Sequence, residues 1–259
     1  MRRRTAAHAG TFYPADMQEI KKYFNAFEEA QTEKPDIVPR AMIVPHAGYI
    51  YSGLTAESAY RTLITSDVKR AIVIGPSHRI AFRGMSVSLY DTYETPLGNL
   101  PIDTAYANRV LQTYHLDFEP KMHQEHSTEV QMPFLKYFAP KIQVIEMVYG
   151  DFSPHTLSKI ITDLLNDPDN LIVISTDLSH FYTEKEATQL DSICLKAIEE
   201  LNPERLHQGC QACGKIGIEA ILISAKALGL QSKILDYRTS AWVTNDKLNV
   251  VGYASTVFY

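Results

Sequence analysis

Four short apolar runs constrain this chain more than any other feature. They are Ala41-Met42-Ile43-Val44, Ala71-Ile72-Val73-Ile74, Ile142 to Val148 (interrupted by Gln143 and Glu146) and Leu171-Ile172-Val173-Ile174. A strand with one wet face alternates polar and apolar residues. A run that is apolar throughout suits a strand buried on both faces, as in a parallel sheet covered by helices. Helical patterns lie between and after these runs, at Leu54 to Leu63, Ala105 to Tyr114, Pro154 to Leu165, Thr183 to Leu201 and Ile216 to Leu228. A further helix is expected from Asp16 to Ala30, with Asp16 as its N-cap. Strands alternating with helices predict an α/β layered fold with a largely parallel sheet. Lys233 to Tyr237 and Asn249 to Phe258 read as strands with no helix between them, so part of the sheet should be antiparallel. The polar, Pro-bearing stretch from Gln31 to Arg40 is expected to be the loop between the first helix and the first core strand. No internal repeat or low-complexity tract interrupts the pattern.

The chain has 259 residues, 45% of them hydrophobic, enough to bury a large core. Its net charge of −5 lacks the basic excess of a general nucleic-acid binder. The basic start Met1-Arg2-Arg3-Arg4 leads into Thr5-Ala6-Ala7-His8 and not into an apolar stretch, so no signal peptide is read. No apolar run approaches membrane-spanning length. Three cysteines do not suggest a disulfide framework, and a reducing cytoplasm is the simplest location.

The turns at the ends of the core strands carry the chemistry. The first strand runs into Pro45-His46-Ala47-Gly48-Tyr49, the second into Gly75-Pro76-Ser77-His78, and the fourth into Ser175-Thr176-Asp177-Leu178-Ser179-His180. In open α/β sheets ligands bind beyond the carboxyl ends of the strands. One histidine after a strand is usually a solvated loop residue, but three with the same placement point to a shared pocket. The neighbouring Gly and Pro residues suit tight turns and close backbone approach.

Cys213 lies just before the last helical run, where a thiol gains acidity from the helix N-terminus. With Cys210 it forms C-x-x-C, which could be redox-active, part of a zinc site, or two inert buried thiols. A four-cysteine zinc site is excluded by count. Cys194 falls in a helical pattern and reads as core. In Glu125-His126-Ser127-Thr128-Glu129, His126 and Glu129 would share a helix face and could support a site or exchange protons. The plainer reading is a polar helix start, with His123 nearby by chance. Arg79 and Arg83, beside the second strand-end turn, could attract an anion. His8, His115, His155 and His207 read as surface residues.

Taken in order, these motifs make the chain resemble the Memo-like family, also called protein B of the AmmeMemoRadiSam set. The resemblance runs from Ala9-Gly10-Thr11-Phe12-Tyr13-Pro14 through the three strand-end motifs, Thr95-Pro96-Leu97-Gly98 and Glu125 to Glu129. It ends at Cys213-Gly214 and Gly252-Tyr253-Ala254. It implies a single domain over residues 1–259, a three-layer α/β/α sandwich with a central, mostly parallel mixed sheet, similar in fold to the class III extradiol dioxygenases. It further implies one divalent metal ion, iron first and copper or zinc as alternatives, on His46, His78 and Cys213. Asp177, His180 and His126 would line the same pocket. His180 would act as acid/base, Asp177 would orient it or line the pocket, and His126 would hydrogen-bond a small-molecule ligand. The ring-cleaving relatives have a carboxylate where this chain has a thiol, a softer set that also suits zinc or copper. The function so implied is a dioxygenase-like, metal-dependent oxidoreductase. The alternative is a non-catalytic adaptor that binds a ligand or peptide in the old pocket. An AMMECR-type protein and a radical-SAM protein are the implied pathway partners, with neither nucleic acid nor membrane.

Overall fold

A computed structural model describes residues 2–31 and 36–259. The main sheet contains β1 (Ala41–Val44), β2 (Arg70–Pro76), β3 (Met85–Val87), β4 (Gln143–Tyr149), β5 (Asn170–Ser175), β6 (His180–Tyr182), β7 (Ser232–Thr239) and β8 (Val250–Phe258). Its order is β7-β8-β1-β5-β2-β4-β3, with β6 paired to β8. The four apolar runs form the four central strands, and these are parallel, with Met42 opposite Val173 and Ile72 opposite both Ile172 and Ile145. The flanking strands are antiparallel. Two of them, β7 and β8, match the two late strands expected from the sequence, but a short helix, Ala241–Thr244, lies between them where none was expected; the three-residue edge strand β3 has no clear sequence signal.

The α-helices are α1 (Met17–Ala30), α2 (Tyr49–Tyr60), α3 (Thr104–Thr113), α4 (His126–Glu129), α5 (Gln131–Phe138), α6 (Pro154–Leu165), α7 (Glu184–Glu199), α8 (Lys215–Leu228) and the short α9 (Ala241–Thr244). Alternate residues of the central strands feed two cores. Ile43, Ile72, Ile145 and Ile174 pack with α3, α6, α7 and α8 on one face. Met42, Val44, Val73 and Val173 pack with α1, α2 and α5 on the other. Burial of the strands on both sides is why their sequences do not alternate. Each fully buried Val or Ile side chain contributes about 1.5–3 kcal/mol, so this central array dominates the stability.

Asp16 caps α1 as expected, accepting from the Gln18 and Glu19 amides. Helix α2 begins at Tyr49, earlier than the pattern from Leu54 indicated. It is buried on nearly all sides and so shows no polar stripe to mark its start. Of the Gln31 to Arg40 connector, residues 32–35 lie outside the described residues, and 36–40 form neither helix nor strand. Among the described residues no helix is long and apolar enough to cross a membrane.

The cysteines differ from expectation. Cys194, in α7, and Cys210 form a disulfide with Cα atoms 5.0 Å apart, leaving Cys213 as the free thiol. The C-x-x-C spacing therefore does not describe a pair. The fold lays α7 against the segment before α8, and that packing, invisible in the spacing, chooses Cys210's partner.

Candidate metal centre

The parallel strands β1, β2 and β5 end at one edge of the sheet, and their C-terminal loops converge there. His46 lies two residues beyond β1, His78 two beyond β2, and Asp177 two beyond β5. The segment before α8 brings Cys213 against the β5 loop. Two glycines allow the close approach: a Cβ on Gly75 would sit 2.6 Å from Ser127 Oγ, and one on Gly214 would sit 2.7 Å from Thr176 Oγ1. Cys213 Sγ lies 3.4 Å from His46 Nε2. The donor atoms of His46, His78 and Cys213 all fall within 4.8 Å of one another.

His46 is held in a ligand-ready form. Ser175 Oγ donates its one proton to the Ser127 carbonyl and accepts from Gln131 Nε2 at 2.8 Å. Tyr60 donates to Gln131 Oε1, which fixes that amide's orientation. The His46 Nδ1, 3.0 Å from Ser175 Oγ, must then be the donor. Nε2 is left with its lone pair facing Cys213. Burial, reinforced by the neighbouring His78 and His126, pushes the His46 pKa well below the ordinary histidine value and keeps the ring neutral.

Polar groups of the β5 loop and the start of α8 surround the thiol. The Asp177 amide donates to Cys213 Sγ at 3.3 Å, Thr176 Oγ1 lies 3.7 Å from it, and the N-terminus of the 14-residue α8 begins two residues later. Cys213 N donates to Asp177 O and Gly214 N to Thr176 Oγ1, locking the two loops together.

His78 forms the open side, its side chain 30% exposed against 2% for His46. Burial opposes its charged form, but Cys213 and Glu125 outweigh burial and push its pKa up to about 10. The three rings of His46, His78 and His126 pack together, with centroids 4.6–5.4 Å apart. Asp177 is buried beside His46. Its Oδ1 accepts from the His46 amide at 2.7 Å, and its Oδ2 is 4.0 Å from His46 Nε2. Burial pushes its carboxyl pKa up despite that bond. Asp177 does not orient His180: the His180 Nδ1 bonds to the Leu178 carbonyl at 2.9 Å, which leaves Nε2 as the basic atom. His180 is near enough to act electrostatically on both His46 and Asp177.

Other expectations change with the fold. Glu129 does not support His126. It is buried and accepts from Arg4 Nη2, the amides of Ala7 and His8, and Tyr13 Oη. It thus anchors the N-terminal segment, whose Phe12 ring lies 4.6 Å from the His126 ring and walls the site. His8 is buried in that wall at 2% exposure and is not a surface residue. His123 is no bystander: its Nδ1 is 2.9 Å from Glu146 and its Nε2 2.8 Å from Ser86, inside the core. Arg83 pairs at the surface with Asp151. A groove of about 650 Å³ is lined by Phe12, Tyr23 and Tyr51 among others, and none of the converging donors lines it.

Sequence reading missed the supporting residues Ser175, Gln131, Thr176 and Glu125. A polar residue ending an otherwise apolar strand, as Ser175 does, is the one signal available. The donor set fits a divalent metal: two imidazoles, one of them neutral with its free nitrogen facing the cluster, and a cysteine sulfur.

A family model described as "Memo-like protein" matches residues 4–257. The chain is 35% identical to a MEMO1 family protein of Aquifex aeolicus over the full length of both. It is 32% identical to a MEMO1 family protein of Thermoplasma volcanium, over 98% of this chain and 97% of the other. With the protein memo-1 homolog of Caenorhabditis elegans it shares 30% identity over 99% of this chain and 82% of the worm protein.

Proposed function

We propose that this chain, which belongs to the Memo-like family, is a metal-dependent, dioxygenase-like oxidoreductase acting on a small molecule, with one iron(II) held by His46, His78 and Cys213. The observation that carries the reading is the convergence of these three donors within 4.8 Å, on loops from three separate parts of the chain. When bound, such an ion supplies Lewis acidity and, as iron, redox chemistry toward dioxygen. The N₂S set also suits copper or zinc.

The remaining roles fall to the chain's own side chains. His180, with Nδ1 committed to Leu178 O, offers Nε2 to take or return a proton. The buried Asp177 lines the pocket beside it. His126, clamped between Phe12 and His78, is placed to hydrogen-bond a bound molecule.

A second reading, a ligand- or peptide-binding adaptor, is favoured by the surface next to His180. Phe181 keeps a left-handed backbone (φ 63°) and is 75% exposed. That conformation costs about 1–2 kcal/mol and leaves an aromatic face free for a partner. Recovery of a bound ligand chemically unchanged after prolonged incubation would favour the adaptor.

Resemblance alone supports a cytoplasmic location and the AMMECR-type and radical-SAM proteins as pathway partners. A disulfide is uncommon in a reducing cytoplasm, so a free-thiol count on protein isolated under native redox conditions checks the location. The central test is metal analysis of anaerobically purified protein. Stoichiometric metal is expected in the wild type and background levels in Cys213→Ser and His46→Ala; unchanged metal in both variants would refute the assignment.

A further inference from the structure

We propose that Glu125 is the positioning residue of this centre: its one buried carboxylate ties the His78 turn to the start of α4 and keeps a proton on His78 Nδ1, so that Nε2 is the atom offered to a metal. The consequence for metal binding rests on the proposed His46, His78 and Cys213 site; the geometry does not.

Glu125 has a side chain only 1% exposed. Its Oε2 accepts from the His78 amide at 2.7 Å. Its Oε1 accepts from the amides of His126 at 2.9 Å and Ser127 at 3.3 Å. The same oxygen lies 3.2 Å from His78 Nδ1, and 2.8 Å from His126 Nδ1 but off the axis of a hydrogen bond. Segments 47 positions apart thus meet on two oxygen atoms.

Glu125 could instead be a ligand, because it, His78 and His126 also bring three donor atoms within 4.8 Å. Lone-pair accounting decides against this. A carboxylate has about four acceptor positions, and four N–H groups, three of them backbone amides, already bond to this one. A His78 Nδ1 that donates to Glu125 cannot also bind a cation. The ring that remains is one whose outward nitrogen is fixed by an inward carboxylate, a common support for metal-bound histidine.

Two measurements on the full chain test this. In ¹⁵N-labelled protein without added metal, the His78 Nδ1–H bonded to a carboxylate should give a low-field imidazole proton signal that Glu125→Gln abolishes. Cobalt(II) titration, read by thiolate-to-cobalt absorption, should show affinity weakened about 10–100-fold in the same variant, with the near-UV dichroism of the fold retained. Glu125→Asp remains a good N-cap for α4 but cannot reach His78 Nδ1, and it replaces Gln if that variant does not fold. Absence of the proton signal in the wild type, or its persistence in both variants, overturns the proposal. So does cobalt affinity that is unchanged in the folded variant. Wild-type protein that shows the signal yet binds no cobalt would refute the metal reading while upholding Glu125's role.

Discussion

Cys213 Sγ sits 3.4 Å from His46 Nε2 across a sequence separation of 167 residues. The contact depends on a relay behind it, Gln131 to Ser175 to His46, which leaves the bare imidazole nitrogen facing the sulfur.

Ser175→Ala removes the group that holds the proton on His46 Nδ1. It also leaves Gln131 Nε2 and the Ser127 carbonyl each short of one buried partner. Metal affinity is expected to fall about 10–100-fold. Folding stability should fall by about 1–3 kcal/mol, read by cobalt titration and urea denaturation. A variant that is destabilised but binds cobalt as the wild type does would show that the relay supports only the fold.

The proton on His78 predicts the pH dependence of binding. Its pKa is raised to about 10, so below that pH a metal must displace a proton to reach the ring. Apparent cobalt affinity should therefore rise about tenfold per pH unit from about pH 7 and level off near 10. Calorimetry in buffers of different ionisation enthalpy counts the proton released. The same shift has the opposite sign for the fold: the charged ring stabilises it fully below 6.5, histidine's ordinary value, and that contribution is lost as pH rises through about 10.

Glu129→Ala leaves the buried Arg4 guanidinium without its hydrogen-bonded carboxylate, with Glu146 the remaining acidic group acting on it. Loss of one partner of a buried pair costs about 3–5 kcal/mol, among the largest single-site losses expected here. Because Glu129 also holds Ala7, His8 and Tyr13, the segment walling His126 should loosen first. Limited proteolysis near the N-terminus should be faster in the variant at a temperature where the rest of the chain is still folded.

The disulfide separates stability from metal binding. Cys210→Ser opens a loop closed over a sequence separation of 16 and should cost about 3 kcal/mol, measured by denaturation against oxidised wild type. Metal stoichiometry should stay unchanged, because Cys213 is held by Asp177 and the start of α8 and not by Cys210. Loss of metal in this variant would restore the C-x-x-C pair as a functional unit.

Much of this arrangement is legible along the chain. Strands buried on both faces must be apolar at every position, so the four central strands stand out. Their carboxyl ends then locate His46, His78 and Asp177 at one edge, and the ordered motifs tie them to a family. Glu129 and His123 mislead because local spacing records which residues share a turn, not what lies opposite them: Arg4 and Tyr13 reach Glu129 from more than a hundred positions away. Cys210 misleads for the same reason, its nearest cysteine in sequence not being its partner in space.

Strand class, layer order and the edge that carries the site follow from burial and periodicity, which are local properties a sequence writes down directly. The pairing of Cys194 with Cys210, the tautomer of His46 and the saturation of Glu125 depend on which polar atoms meet once loops distant in sequence have packed. A buried donor or acceptor takes whatever partner the packed core places within about 3 Å, and no spacing along the chain records that distance.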